Sequence, residues 1–236
     1  MKYKRILLKL SGESLMGSNQ AGIDPTTVNG YCEEIKAIVA EGVQLGIVVG
    51  GGNIFRGLKG LKEGFDRVQG DYMGMLATII NSMALQSLLE KNNVKTKILS
   101  GITIEPVCKT MSRKMALKYM VNGYVVIIAG GTGNPYFTTD TAAALRAAEI
   151  KAEVILKGTR VDGVYNTDPE KDKNAVKFDN LTFNEAIDKG LGIMDLTAFT
   201  FCRENKIPII VFNMNVKGNL KRIIRGDKVG TLINNL

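Results

Sequence analysis

The chain reads as an α/β protein, a three-layer αβα sandwich around a mainly parallel sheet, and three observations carry that expectation. Short runs rich in Ile, Val and Leu recur along it, stretches of helical spacing separate them, and glycine-bearing turns follow four of the runs. Strands apolar throughout are covered on both faces, and strands alternating with helices pair in parallel. With 236 residues, 45% of them hydrophobic, there is enough apolar surface for one sizeable core. No internal repeat, low-complexity tract or proline-rich linker divides the chain, so residues 1–236 are read as a single domain.

The elements follow in order. Residues 5–10 (RILLKL) form the first strand, apolar around Lys9. Asp24-Pro25 opens a helix that stops near Gly42, because an Asp side chain accepts first-turn N–H groups and proline at the first helical position forfeits no hydrogen bond. Residues 45–49 are the second strand. Residues 72–89 (YMGMLATIINSMALQSLL) form a helix apolar nearly all round, to be covered on both sides by the core or by another subunit. Its methionines Met73, Met75 and Met83 read as packing. Residues 97–102 are the third strand, Ser112 opens a helix stopping near Gly123, and residues 124–129 are the fourth strand. An alanine-rich helix then leads to a fifth strand at 153–156, Asp195 opens a helix ending before Pro208, and residues 207–212 form the last strand.

Composition narrows the chemistry. The sequence contains no histidine, which excludes Ser-His-Asp and Cys-His catalysis, H-E-x-x-H zinc sites and histidine proton shuttles. Lysine, arginine, carboxylate, backbone amides and metal remain. Cys32, Cys108 and Cys202 are far apart with no C-x-x-C, which argues against a disulfide framework or zinc knuckle and for packing. The net charge of +8 suits an anionic partner, yet the basic residues are scattered. Small phosphorylated ligands are therefore expected, and nucleic acid is not. No run reaches about 18 uninterrupted apolar residues, and the first ten residues run straight into a strand; a soluble, cytoplasmic protein with no membrane partner is expected.

In open α/β sheets ligands gather beyond the carboxyl ends of the strands. After the first strand comes Lys9-Leu10-Ser11-Gly12-Glu13, and after the second Gly50-Gly51-Gly52-Asn53-Ile54-Phe55-Arg56-Gly57. After the fourth comes AGGTGNPYFTTD (129–140), and after the fifth Lys157-Gly158-Thr159-Arg160-Val161-Asp162-Gly163-Val164-Tyr165. One glycine turn after a strand is ordinary. Four on one edge, two with a lysine and one with an arginine, point to a polyphosphate held by backbone N–H groups and helix N-termini, although neither a G-x-x-x-x-G-K-[ST] nor a G-x-G-x-x-G motif is present. Lys9 can reach a phosphate as a point charge, and Arg56 can fork over a phosphoryl group. Asp71 and Asp140 each head a helix, and capping and ligand contact stay open for both. Asp162 and Asp168, before Pro169, read as turn formers. Arg113, Lys114 and Lys118 read as a solvated helix face, with a regulator site as the alternative.

Segments 9–13, 50–53 and 159–165 resemble shared signatures of the amino acid kinase superfamily. Segments 53–57, 71–78, 131–140 and 209–213 resemble those of its bacterial UMP kinase family, and the likeness covers nearly the whole chain. The resemblance implies that Lys9, Leu10, Ser11, Gly12, Gly52 and Arg56 face the ATP phosphates, and that Thr159, Tyr165 and Asp168 line the adenosine pocket. It places UMP on Gly51, Asp71, Thr132, Gly133, Asn134, Pro135, Tyr136, Phe137, Thr138 and Thr139, with Asp71 on the ribose hydroxyls. Lys9, Arg56, Asp140 and Lys157 are the implied catalytic set, Asp140 orienting the two lysines, and no protein metal ligand is assigned. Also implied are Mg²⁺ dependence, a homohexamer, regulation by GTP and UTP, and a place in pyrimidine nucleotide synthesis.

Such a reaction suits a chain without histidine. The second pKa of a phosphate monoester is about 6, so the attacking oxygen is already anionic near neutral pH. Alignment and charge cancellation remain to be supplied. The alternative within the superfamily is a carboxylate or carbamate acceptor giving an acyl phosphate, against which stand the segments 71–78 and 137–140.

Overall fold

A computed structural model describes residues 1–55 and 64–235. Arg56, an expected site residue, lies outside the described residues. Strands β1 (Arg5–Leu10), β2 (Gln44–Val49), β3 (Thr96–Ser100), β4 (Lys109–Thr110), β5 (Val125–Ala129), β6 (Val154–Thr159), β9 (Asn180–Thr182), β10 (Ile209–Asn213) and β11 (Thr231–Asn234) form one sheet. Its order is β4-β3-β5-β2-β1-β6-β10-β11-β9, and every pairing is parallel except β10 with β11. Two further short strands, β7 (Val164–Tyr165) and β8 (Lys177–Phe178), make a separate antiparallel pair. The expected αβα sandwich is thus present, with an antiparallel step toward one edge.

Helices α1 (Pro25–Val39), α2 (Arg67–Lys91), α3 (Arg113–Val121), α4 (Thr139–Glu149), α5 (Phe183–Asp188), α6 (Leu196–Glu204) and α7 (Asn219–Arg225) cover the sheet. Two cores result. One carries Leu8, Leu10, Ile47, Val49 and Ile127 beneath α1 and α2; the other carries Leu7, Val48, Val126, Ile128 and Ile155 beneath α4 and α6. Alternate residues of β1 and β2 enter opposite cores, as the two-residue strand period requires.

Most caps fall where the residues place them. Asp24 accepts the N–H groups of Thr26 and Thr27, Ser112 that of Met115, and Asp195 that of Ala198. Two capping readings need correction. Asp66, not Asp71, caps α2, accepting from Val68 and Gln69; the helix begins five residues earlier than its apolar stretch because this polar cap and Arg67 precede it. Thr138, not Asp140, caps α4, accepting from Asp140 and Thr141, so both aspartates are left for other work.

Helix α2 is long and apolar enough in composition to pass for a membrane span, with a mean hydropathy of 1.2 over its best window. In the fold it packs one face on β3 and β5 through Met75, Ile79, Leu85 and Leu89. Its opposite face, Tyr72, Leu76, Ile80 and Met83, is exposed within the single chain, Ile80 to 50%. Met83 is therefore not a core residue of the single chain, which leaves packing against another subunit as the form of that reading still open to it.

Candidate active site

Chain order differs from sheet order, and that difference makes the site. From β2 the chain crosses to β3, returns to β5 beside β2, and then crosses under β1 to β6. The contiguous parallel strands β5-β2-β1-β6 therefore present their carboxyl ends together, and all four glycine turns lie on one rim.

At its centre lies a buried charge cluster. Lys9 and Lys157 are partners in the β1–β6 register, so their side chains leave the sheet on the same face. Asp140, in the first turn of α4, sits between them: Lys9 Nζ lies 2.6 Å from Oδ1 and Lys157 Nζ 2.9 Å from Oδ2. The Lys9 contact is a close ion pair outside hydrogen-bond alignment, whereas Lys157 donates a hydrogen bond and gives another to the Ile193 carbonyl. Burial pushes the Asp140 carboxyl up, but the two ammonium charges outweigh it and hold the group below the usual carboxylate range. Burial, then the neighbouring Lys9 charge, holds the Lys157 ammonium below the usual lysine value, with Asp140 opposing. Two buried cations thus share one carboxylate in direct contact, while the more distant Asp195 charge also favours the Lys157 ammonium.

The turns close on each other so tightly that only glycine serves. A Cβ on Gly12 would lie 2.5 Å from Asn53 Oδ1 and 2.6 Å from the Gly52 nitrogen; one on Gly51 would lie 2.8 Å from Ala77 Cβ. Asn53 and Asn81, both buried, exchange amide hydrogen bonds, and Asn81 also donates to the Gly50 carbonyl, pinning the second turn to α2. Among the described residues the N–H groups of Gly51, Gly52, Gly131, Thr132 and Thr139 have no partner. Ser11 caps the short 3₁₀ turn Gly12–Leu15 by accepting from Ser14, and Leu10 is a core side chain that offers only its backbone.

Two cavities lie on this rim, one walled by Lys157 and the other by Gly52 and Thr139. One, of about 510 Å³, is lined by Lys157, Thr159, Val161, residues 163–169 and the segment 189–193. Thr159, Tyr165 and Asp168 are all on its wall, and its volume suits a nucleoside. The Tyr165 hydroxyl is engaged, donating to Asp162 at 2.5 Å, so its ring is what faces a ligand; Lys177 holds the other Asp162 oxygen. That hydrogen bond from Tyr165 holds the Asp162 carboxyl below its ordinary range. Asp168 accepts the Glu170 N–H, as its turn reading requires.

The second cavity, about 220 Å³, is lined by Gly51, Gly52, Phe55, Arg67, Asp71, Met75, Thr78, Gly131, Thr132 and residues 137–139. Asp71 Oδ2 accepts from Arg67 Nε and from the Tyr136 N–H, both at 2.7 Å, while Oδ1 has no partner among the described residues. Tyr136 sits at φ 71°, a conformation costing a non-glycine residue about 1–3 kcal/mol, and the Asp71 bond holds it there. The Thr132 hydroxyl closes a turn with Asn134, and Thr138 is spent between capping α4 and donating to Asp195. The Thr139 hydroxyl has no partner among the described residues. Gly133, Asn134 and Pro135 lie on the same loop but not on the cavity wall.

Several site residues were absent from the sequence reading. Arg67 lines the smaller cavity, Thr78 Oγ1 accepts the Gly130 N–H, and residues 189–193 wall the larger cavity while holding Lys157. Asp195 was legible only as a cap, yet it also accepts from Thr138 and Thr141, tying the start of α6 to that of α4. Asn81 and Thr78 carried a signal: they are polar residues within an apolar helix, on the face it buries. Arg113, Lys114 and Lys118 are exposed on α3, as a solvated face requires.

A mostly parallel αβα sheet whose strand-end turns gather at a buried Lys–Asp–Lys cluster, with two cavities on the same rim, is an arrangement suited to a phosphotransferase. The chain belongs to the amino acid kinase family, whose model matches residues 4–213, and within it to the uridylate kinases. It is 56% identical over 234 residues to the uridylate kinase of Bacteroides thetaiotaomicron and 57% identical over 234 residues to that of Parabacteroides distasonis, covering 99% of each chain in both cases. Among solved structures, the UMP kinase of Bacillus anthracis superposes with a TM-score of 0.96 at 37% identity, covering 100% of this chain and 97% of that one. The UMP kinase of Ureaplasma parvum gives 0.92 at 38% identity, with 100% of both chains covered.

Proposed function

We propose that this chain transfers the γ-phosphoryl group of ATP to UMP, giving ADP and UDP by in-line displacement. A UMP phosphate oxygen forms the new bond to Pγ as the bond to the β–γ bridging oxygen breaks, and ADP leaves with that electron pair. The observation that carries this reading is the buried Lys9–Asp140–Lys157 cluster, with one cavity walled by Lys157 and a second walled by Gly52 and Thr139, the neighbour of Asp140. The full-length likeness to uridylate kinases supports UMP as the acceptor, and nothing favours a carboxylate or carbamate.

The larger cavity takes the adenosine of ATP, its phosphates running over Ser11, Gly12 and Gly52 toward Lys9; family likeness adds Arg56, which lies outside the described residues, to the phosphate contacts. The smaller takes UMP, with Asp71 Oδ1 on the ribose and the N–H groups of Gly51, Thr132 and Thr139 on the phosphate. Asp140 orients both lysines. Fixed N–H donors and ammonium groups aimed at the transferring oxygens stabilise charge without reorganisation. Mg²⁺ enters with ATP, as part of the donor substrate. Asp140, the buried carboxylate here, is taken by two lysines, and the described residues hold no cluster of three metal-ligating side chains.

Family likeness extends the proposal to GTP and UTP as effectors, to a cytoplasmic role in pyrimidine nucleotide synthesis, and to a homohexamer. The exposed Tyr72, Leu76, Ile80 and Met83 stripe supports self-association through α2. The test is ADP release from Mg·ATP over a panel of UMP, CMP, amino acids and carbamate, with GTP varied. UMP is expected to stimulate release far above the others. UMP-independent release at every GTP concentration would overturn the reading.

A further inference from the structure

Arg146 lies on α4, one and a half turns beyond Asp140, and is only 5% exposed. Lysine and arginine are rarely buried so deeply without a task. Its Nη1 pairs with Glu149 at 2.7 Å and its Nη2 donates to the Gly131 carbonyl at 3.0 Å, while its buried Nε has no partner. Leaving that N–H unmet costs free energy, so the guanidinium is held in place by what its other arms gain.

What it grips matters. Gly131 sits at φ 59°, between Gly130 at 69° and the carbonyl of a peptide whose other half is the Thr132 N–H. Turning the Gly131–Thr132 peptide changes ψ of Gly131 and φ of Thr132, and a glycine leaves the first of these with little steric restraint. In a planar trans peptide C=O and N–H point in opposite directions. Fixing the Gly131 carbonyl toward Arg146 therefore turns the Thr132 N–H away from α4, to the side where Gly131 and Thr132 line the smaller cavity. The preceding peptide is held separately, its Gly130 N–H on Thr78 Oγ1 at 2.9 Å.

We infer that Arg146 is a positioning residue for the acceptor phosphate: it locks the Gly131–Thr132 peptide in the orientation that presents an N–H to the anion, and touches neither substrate. Because Glu149 balances its charge, it acts by direction and not by field. The inference rests on the assignment of UMP to this cavity.

The test is a steady-state analysis of R146M, a side chain of similar reach without donors, together with equilibrium dialysis of UMP alone. UMP-dependent ADP release by the unaltered protein reports on the functional reading independently. In R146M the KM for UMP and the Kd for UMP are expected to rise about tenfold, the effect of one misdirected charge-assisted hydrogen bond, with the KM for ATP within about twofold of its starting value. Should R146M not fold, the double variant R146M/E149L removes the ion pair as a unit and carries the same expectation, since paired removal leaves no stranded charge. Equal changes in the two KM values, or none, would overturn the inference.

Discussion

Replacing Asp140 by asparagine keeps the shape of the cluster and removes its only negative charge. Two buried ammonium groups, each within 3 Å of the carboxylate in the native site, would then face one another. Removing one partner of a buried charge pair costs about 3–5 kcal/mol, because the remaining charge is left uncompensated. Here two cations share the partner, so D140N is expected at or above the upper end of that range at neutral pH. The loss should depend on pH in a definite direction. Burial and Lys9 already hold the Lys157 ammonium below its ordinary value, and Asp140 is the main group opposing them, with a smaller contribution from Asp195. Without Asp140 the folded-state value falls further, while the unfolded value stays near that of free lysine. Between those two values the unfolded chain binds more protons than the folded one, so stability of the variant rises with pH. In the unaltered protein the Asp140 contribution is complete above the ordinary carboxylate pKa and fades as pH falls through the depressed folded value. The gap between the two proteins should therefore be widest near neutrality, narrow toward pH 10, and close in acid. Urea titrations from pH 3 to 10 measure it, and turnover should fall at least about 10²-fold as the lysines lose their alignment. A variant equally stable across that range, with near-native turnover, would refute the account.

Other expectations follow from the same geometry. K9M should cut turnover about 10²–10³-fold while circular dichroism shows the fold intact, since Asp140 keeps Lys157 as a partner. G12A should raise the KM for ATP and destabilise the chain by about 1–3 kcal/mol, because its Cβ meets backbone and a pinned amide that cannot retreat; urea midpoints would show it. Ile80→Glu should split the assembly without unfolding the subunit, as sedimentation would show, because Ile80 is half exposed in the single chain yet central to an apolar stripe. Unchanged assembly in that variant would remove α2 as the contact.

How much of this was legible in the sequence depends on what each residue had to do. The central strands announced themselves because a strand buried on both faces must be apolar throughout, and the caps of α1, α3 and α6 did so because few side chains can satisfy a first turn. The short strands β4, β7, β8 and β9 span two or three residues each and carry no period to read. Lys9 stood out as a charge inside an apolar strand. Lys157 had a role only through the family resemblance; the register that pairs it with Lys9 is a long-range fact that no local pattern encodes. Asp71 and Asp140 were ambiguous for a physical reason: near a helix start a carboxylate serves dipole and ligand alike. The answer lay with Asp66 and Thr138, which take the capping work. The segment 189–193 was silent because it contributes backbone.

The arrangement also explains why the chain can dispense with a general base. Buried ammonium groups are costly, and a site that balanced them fully with carboxylates would repel the phosphates it must bring together. A site with none would leave those phosphates to repel each other. One aspartate in direct contact with two lysines lies between these extremes, stable enough to fold and with its contact charges still short of neutrality. That deficit is filled by a ligand that is anionic at working pH, and only where both nucleotides extend their phosphates to the same point. On the proposed function, binding and catalysis draw on the same positive cluster, beside which the transferring group would stand.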